Sequence, residues 1–271
     1  MKRELIDFDA LFTQYMQEWY EENKDKMTPD EMEEKMSDLY FDWVNMKNEE
    51  IGGLSPKQYF DSITDVNVLI EMLVDATDNG SPSMLLLDKI AESDCVQELK
   101  NLIGKDEYSA QIKMQALNLL VEKSEKPPIE DCVKILADKN TDEGLRELIV
   151  EIFAQIPNDV KNYMLAMISY ADTKLKGCIA EILVNADKDE KTYELLIELF
   201  KTANNRSLYA GYLGKYGDVR ALSVLYKALD DCNYVEFMEV RNSIEELGGT
   251  VDDEYRDFSD DPYYKALKNL K

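Results

Sequence analysis

The sequence contains no histidine. This absence excludes Ser-His and Cys-His nucleophile pairs, histidine-ligated zinc or iron, and imidazole as a general acid or base. Cysteine is also scarce, and the four residues are too far apart in sequence to form a CxxC pair. They are Cys95, Cys132, Cys178 and Cys232. We therefore expect buried structural thiols in a reducing compartment, with no resident metal and no cofactor.

Glycine and proline are few, at 11 and 7 of 271 residues, which favours an all-α protein over a β-rich one. No segment approaches the roughly 18 apolar residues of a transmembrane helix. The first residues carry acids where a signal peptide needs an apolar run. We expect a cytoplasmic protein without a membrane partner.

Basic residues are outnumbered, with 31 lysines and arginines against 56 aspartates and glutamates and a formal net charge of −25. This charge repels a polyphosphate backbone, so nucleic acid is not an expected partner. Acidity alone is compatible with an ordinary soluble protein or with an acidic docking face. It favours basic partners over acidic ones.

A helical repeat is indicated near the C-terminus. Gly217, Asp218, Arg220 and Ala221 form a Gly-Asp-x-Arg-Ala motif at a predicted helix start, and Val-Arg and Leu-Gly pairs lie in the next helix. Segments of about 30 residues can each hold two antiparallel helices with short loops. Counting back from this motif gives six segments: 64–93, 94–126, 127–156, 157–186, 187–217 and 218–249.

These motifs resemble the short HEAT-like repeats of phycobilin lyases and many bacterial proteins, with a specific match over about residues 203–249. Asn205 stands where the family usually has an aliphatic residue. The resemblance implies a right-handed α-solenoid whose second helices line a concave face. We expect a helical cap over residues 1–63, a repeat array over 64–249, and an acidic segment with a short capping helix over 250–271.

The N-terminal region is predicted to be helical without following the repeat. Thr28, Pro29 and Glu31 form a capping box at one helix start, and Ser55-Pro56 marks another. The preceding helix carries an apolar stripe of Leu5, Phe8, Phe12, Tyr15, Met16 and Trp19. This region either caps the end of the array or forms an aromatic-rich docking module.

Basic residues recur near the starts of the second helices at intervals of about 30 to 35 residues. This basic series consists of Lys113, Arg146, Lys176, Arg206 and Arg241. The first helices begin near aspartates, namely Asp65, Asp94, Asp131, Asp159 and Asp218. One interpretation is a positive stripe that receives an acidic peptide or a phosphate. The other is that each basic residue pairs with one of these aspartates inside the array.

Tyr209, Tyr212 and Tyr216 follow i, i+3, i+7 spacing on one second helix. Such a stripe is typical of a helix core, or of an aromatic hot spot on the concave face. Adjacent carboxylates such as Asp230-Asp231 carry almost no information in so acidic a chain. No acid and base pair for catalysis can be assigned from them.

The sequence predicts a non-catalytic scaffold that binds a protein or peptide, expected to be basic or amphipathic, on its concave face. The candidate binding residues are Arg146, Lys176, Arg206, Tyr209, Tyr212, Tyr216 and Arg241. One alternative is a HEAT-like enzyme of the DNA glycosylase or chromophore lyase type. A second is an acidic mimic of nucleic acid, which requires carboxylates at phosphate-like spacing on one face.

Overall fold

A computed structural model describes residues 6–252 and 255–268. Within these residues the protein has sixteen α-helices, two short 3-10 helices and no β-strand, which confirms the predicted all-α class. The chain divides into two compact units, residues 1–132 (unit 1) and 133–271 (unit 2). In the described ranges no helix is both long enough and apolar enough to span a bilayer.

Unit 1 begins with a helical hairpin and continues with shorter helices. Its helices are α1 (Phe8–Asn23), α2 (Pro29–Asn45), α3 (Pro56–Asp61), α4 (Val66–Asn79), α5 (Met84–Glu92), α6 (Val96–Gly104) and α7 (Ala110–Glu122). Helix α8 (Ile129–Ala137) crosses the boundary between the units. The predicted capping box is present: Glu31 accepts from the backbone N–H of Thr28 at 2.8 Å. Ser55 likewise caps α3, whereas Leu5 lies outside the described residues.

Unit 2 consists of further short helices, which follow one another in pairs. These are α9 (Glu143–Gln155), α10 (Pro157–Met167), α11 (Thr173–Leu183), α12 (Glu190–Thr202), α13 (Arg206–Tyr216), α14 (Leu222–Ala228), α15 (Tyr234–Glu246) and α16 (Pro262–Lys268). Each of the six segments marked in the sequence contains two helices. Their apolar residues fall at helical spacing and are buried, as Ile179, Ile182 and Leu183 of α11 show.

The Gly-Asp-x-Arg-Ala motif joins two successive helical pairs of unit 2. Gly217 ends α13 with a φ of +73°, a conformation that glycine adopts without strain. Asp218 then caps the following 3-10 turn. Arg220 bonds to both Asp218 and Glu190, and its guanidinium lies over the ring of Tyr193 at 4.1 Å. Because Glu190 and Tyr193 belong to α12, these contacts fix the angle between neighbouring pairs.

The C-terminal helix α16 starts at Pro262, inside the segment for which a short capping helix is predicted. Asp261 accepts backbone N–H bonds from Tyr263 and Tyr264 in α16, and from Tyr234 at the start of α15. These bonds lower the pKa of the Asp261 carboxyl. One carboxylate therefore caps α16 and ties it to α15. Residues 253–254 and 269–271 of the predicted acidic segment lie outside the described residues.

Candidate partner-binding groove on three second helices

A groove of about 290 Å³ lies in unit 2 between α9, α11 and α13, the second helices of three successive pairs. We call it the tyrosine groove. It is lined by Glu143, Arg146, Glu147, Val150, Lys174, Gly177, Cys178, Glu181, Leu208, Tyr209 and Tyr212. Three of the residues predicted for partner binding, Arg146, Tyr209 and Tyr212, are therefore brought together.

The groove exists because α13 packs unequally on its two neighbours. Gly214 lets α13 approach α15 closely, because a Cβ at this position would lie 3.0 Å from the Ser243 Cα. A Cβ at Gly211 would meet only the Glu239 carboxylate, at 3.1 Å. Close approaches between α13 and α15 are numerous, whereas those between α13 and α11 are few. The wider space toward α11 is partly filled by the tyrosine side chains.

Tyr209 and Tyr212 form the aromatic wall of the groove. Their rings make an edge contact with centroids 5.8 Å apart. The Tyr209 hydroxyl lies against Gly177, where a Cβ would come within 3.1 Å of it. Neither hydroxyl has a hydrogen bond to any residue that the structure describes. Both phenols can therefore donate to, or accept from, a bound molecule without breaking an existing bond.

The ionisable groups of this wall are held in their neutral forms. Burial, together with the nearby Glu181 carboxylate, raises the pKa of Tyr212 to about 12. Burial also raises the pKa of Tyr209 and of the Cys178 thiol. A protonated thiol is a weak nucleophile. The groove thus presents hydrogen-bonding and aromatic surface, with carboxylates around it.

Cys178 departs from the expectation that all four thiols are buried. Cys95, Cys132 and Cys232 are buried, but Cys178 is only partly covered and lines the groove. The reason is its place on α11, at the side that faces the wide gap to α13.

Arg146 forms the floor of the groove and is only 4% exposed. Its terminal nitrogens donate to the carbonyl oxygens of Leu136 and Asp138, each at 2.8 Å. These carbonyls belong to the end of α8, where backbone acceptors lack helical partners. The Arg146 Nε has no hydrogen bond and lies 3.9 Å from the Glu143 carboxylate. Arg146 therefore ties α9 to α8 while bordering the groove.

The basic series does not occupy one register, contrary to the prediction. Lys113, Arg146 and Lys176 each lie four residues after a side-chain N-cap, formed by Ser109, Asp142 and Asp172. In α13 the N-cap is Asn205, so the equivalent position holds Tyr209. In α15 the N-cap is Asn233, and the equivalent residue is Phe237. Arg206 therefore lies three residues before the equivalent position, and Arg241 lies four residues after it.

For Lys176 and Arg206, the ion-pair partners are not the predicted aspartates at the starts of first helices. Lys176 bonds to Glu198 within α12 at 2.6 Å, and Arg206 bonds to Asp231, which follows α14, at 3.1 Å. Arg241 bonds to Glu245 of its own helix at 2.8 Å. Each of these three basic side chains therefore pairs with a glutamate or aspartate close to it on the protein surface.

Four predicted binding residues lie outside the tyrosine groove, namely Lys176, Arg206, Tyr216 and Arg241. Tyr216 is 3% exposed, and its hydroxyl makes two hydrogen bonds with the backbone of Asp189. The hydroxyl accepts from the Asp189 N–H at 2.6 Å and donates to the Asp189 carbonyl oxygen at 2.9 Å. This tyrosine fastens the start of α12 to the end of α13. Only the first two tyrosines of the stripe face the groove.

Sequence reasoning missed the acidic rim and the small residue that shapes the groove. Glu147 and Glu181 line the groove, are exposed, and have no ion pair within the described part of the chain. Gly177 precedes Glu181 by four residues, and Glu143 precedes Glu147 by four. This i, i+4 spacing places each pair on one helix face. This spacing was the signal in the sequence that could have indicated the acidic rim. The sequence does not show which face of each helix meets its neighbour, because that depends on how the helices pack.

Within residues 6–252 and 255–268, no group of three histidine, cysteine, aspartate or glutamate side chains is arranged to hold a metal ion. Comparisons with known proteins give no further guidance. No protein-family model matches the chain, and no curated protein is similar to it in sequence.

Proposed function

We propose that this protein is a non-catalytic interaction scaffold that binds a protein or peptide partner in the tyrosine groove of unit 2. The observation that carries the proposal is the set of polar groups around the groove that have no partner in the described residues. These are the hydroxyls of Tyr209 and Tyr212 and the carboxylates of Glu147 and Glu181.

The chemistry of the groove favours a basic or amphipathic segment as the partner. Two carboxylates without ion pairs attract a lysine or arginine side chain, and the tyrosine faces add a cation–π contact. Leu208, which is 41% exposed, offers apolar contact beside them. The two hydroxyls complement peptide carbonyl and amide groups. The chain's net charge of −25 increases the association rate with such a partner.

We further propose that the helical pairs are HEAT-like repeats stacked as a right-handed solenoid. Support comes from the Gly-Asp-x-Arg-Ala motif, whose Arg220 links successive pairs, and from side-chain caps at equivalent places on the second helices. The four free thiols support a reducing compartment, in agreement with a cytoplasmic location.

The test is a comparative affinity capture from a lysate of the native host, with identification by mass spectrometry. The bait proteins are the parent chain, Glu181→Arg in the groove, and Glu194→Arg as the control. Glu194 is exposed on α12, which is the first helix of its pair. The control therefore makes the same charge change away from the groove. We expect one protein to be enriched by the parent and by the control, and to be lost with Glu181→Arg.

A second groove variant, Tyr212→Phe, removes only a hydroxyl that has no internal hydrogen bond, so folding is unaffected. We expect about a three- to tenfold weaker interaction with the captured partner. Equal capture of the partner by the parent and by Glu181→Arg would show that the partner does not bind in the tyrosine groove. Recovery of a small molecule or a nucleic acid without any protein would contradict the scaffold function itself.

A further inference from the structure

Within the described residues, part of the apolar face of the N-terminal hairpin in unit 1 remains exposed. Helix α1 has sixteen residues but buries only Phe8, and the seventeen-residue α2 buries only Leu39 and Trp43. A surface helix normally covers its apolar stripe against the core. Among the described residues, the fully buried side chains of the hairpin are Phe8, Leu39 and Trp43, and Phe8 packs against the ring of Phe60 in α3 at 4.9 Å.

The exposed part of the hairpin contains a shallow groove of about 370 Å³, which we call the methionine groove. Its apolar lining is Phe12, Met16, Tyr20 and Met36, and Glu21 lies at its edge. Tyr20 is 50% exposed and Met36 is 44% exposed. Methionine side chains are flexible and polarizable, and they adapt to apolar partners of different shape.

Strong negative charge surrounds this groove. Twelve acidic and three basic residues lie between Asp7 and Met46. Both helices of the hairpin carry carboxylates, and Glu21 lies at the edge of the groove itself. An acidic surface around an apolar groove complements a helix with one apolar face and basic flanks. A second copy of this chain would bring two acidic hairpins together, which repulsion disfavours.

We propose that the methionine groove docks a basic amphipathic helix of a partner protein. The apolar face of the partner helix contacts Met16, Tyr20 and Met36, and its lysines or arginines face the carboxylates of α1 and α2. This surface lies in unit 1 and is separate from the tyrosine groove, so the two proposals stand or fall independently.

The chain supplies its own optical probe for this site. Both tryptophans, Trp19 and Trp43, belong to the hairpin, and the ring of Trp43 lies 5.0 Å from that of Phe12. Tryptophan fluorescence therefore reports on the hairpin alone. The probe ligand is a synthetic amphipathic helix of about sixteen leucine and lysine residues without tryptophan, matched to the length of α1.

The variants are designed to separate the groove from general attraction between opposite charges. Met36→Glu and Tyr20→Glu alter exposed groove residues, so the fold tolerates them. Met84→Glu is the control, because Met84 is 64% exposed on α5 and does not line the groove. All three make the chain more acidic by one charge. Nonspecific attraction predicts tighter peptide binding to each of them.

We expect a saturable change in tryptophan emission with a dissociation constant in the micromolar range. Affinity should fall at least tenfold for Met36→Glu and for Tyr20→Glu, and should stay unchanged or rise slightly for Met84→Glu. A peptide with glutamate in place of lysine should not bind.

Three results would overturn the proposal. The first is equal binding of the leucine-lysine peptide to the parent and both groove variants. The second is a parent dimer in sedimentation velocity that Met36→Glu dissociates, because a second copy would then occupy the groove. The third is binding to neutral phosphatidylcholine vesicles that Met36→Glu abolishes, because the face would then be a lipid contact.

Discussion

Replacing Arg146 tests whether the main role of this residue is to connect α9 to the end of α8 through its two hydrogen bonds. In Arg146→Met the side chain keeps similar bulk but loses both bonds to the carbonyl oxygens of Leu136 and Asp138. A hydrogen bond with a charged partner contributes about 1.5 to 3 kcal/mol. The Leu136 bond is buried, whereas the Asp138 bond is only partly buried. Removal of the Nε atom, which lacks a partner, offsets part of the loss.

We therefore expect Arg146→Met to lower the free energy of unfolding by about 2 to 4 kcal/mol. The assay is urea denaturation followed by far-ultraviolet circular dichroism. Arg146→Lys should give an intermediate loss, because one ammonium on a flexible stem does not reproduce the fork that spans two carbonyls. Arg220→Met is the matched control on an exposed arginine of the same unit, and its effect should be the smaller.

A loss below about 0.5 kcal/mol for Arg146→Met would refute this reasoning, since that is the range of unimportant surface changes. A greater loss for lysine than for methionine would also refute it. A negligible loss for Arg146→Met would instead assign Arg146 to the groove, and partner binding would then be the measurement for its replacement.

Three more outcomes can be checked directly. Gly214→Ala should lower the free energy of unfolding, measured in urea, by about 1 to 2 kcal/mol, because the new Cβ meets the backbone of α15. This loss should outweigh the better helix propensity of alanine. Gly211→Ala is the control and should be nearly neutral, because its Cβ meets only a carboxylate. Burial raises the pKa of Asp189, but hydrogen bonds from Thr192 and Lys161 outweigh it and lower the pKa overall. The carboxylate thus adds stability above about pH 4 that is lost on further acidification, and the difference in melting temperature between the parent and Asp189→Asn should shrink as the pH falls below about 4. Brief maleimide treatment followed by peptide mass spectrometry should label Cys178 first, and equal labelling of the buried cysteines would contradict the groove geometry.

Local chemistry was readable from the sequence because its causes lie within a few residues. The capping box at Thr28, the start of α3 at Ser55 and the start of α16 at Asp261 all depend on side chains that bond to a backbone three residues away or nearer. The paired helices of the six segments follow from apolar spacing and short polar loops.

The register of the second helices was misread at Asn205. This residue was interpreted as a replacement for an aliphatic residue, whereas its side chain caps α13 and bonds to the N–H of Leu208. The shift moved Arg206 out of the basic series and placed Tyr209 where Arg146 stands in α9. A cap differs from a substituted core position only in backbone conformation, which a single sequence does not display.

The sequence by itself determined the helical class, the helix pairs and most of their ends, because these depend on spacing and on bonds between near neighbours. Tertiary structure alone decided where α13 lies between α11 and α15. Gly214 permits its close approach to α15, while Tyr209 and Tyr212 occupy the wider side, and this asymmetry opens the tyrosine groove. Packing distances between helices depend on side chains from both partners, so no single stretch of sequence contains them.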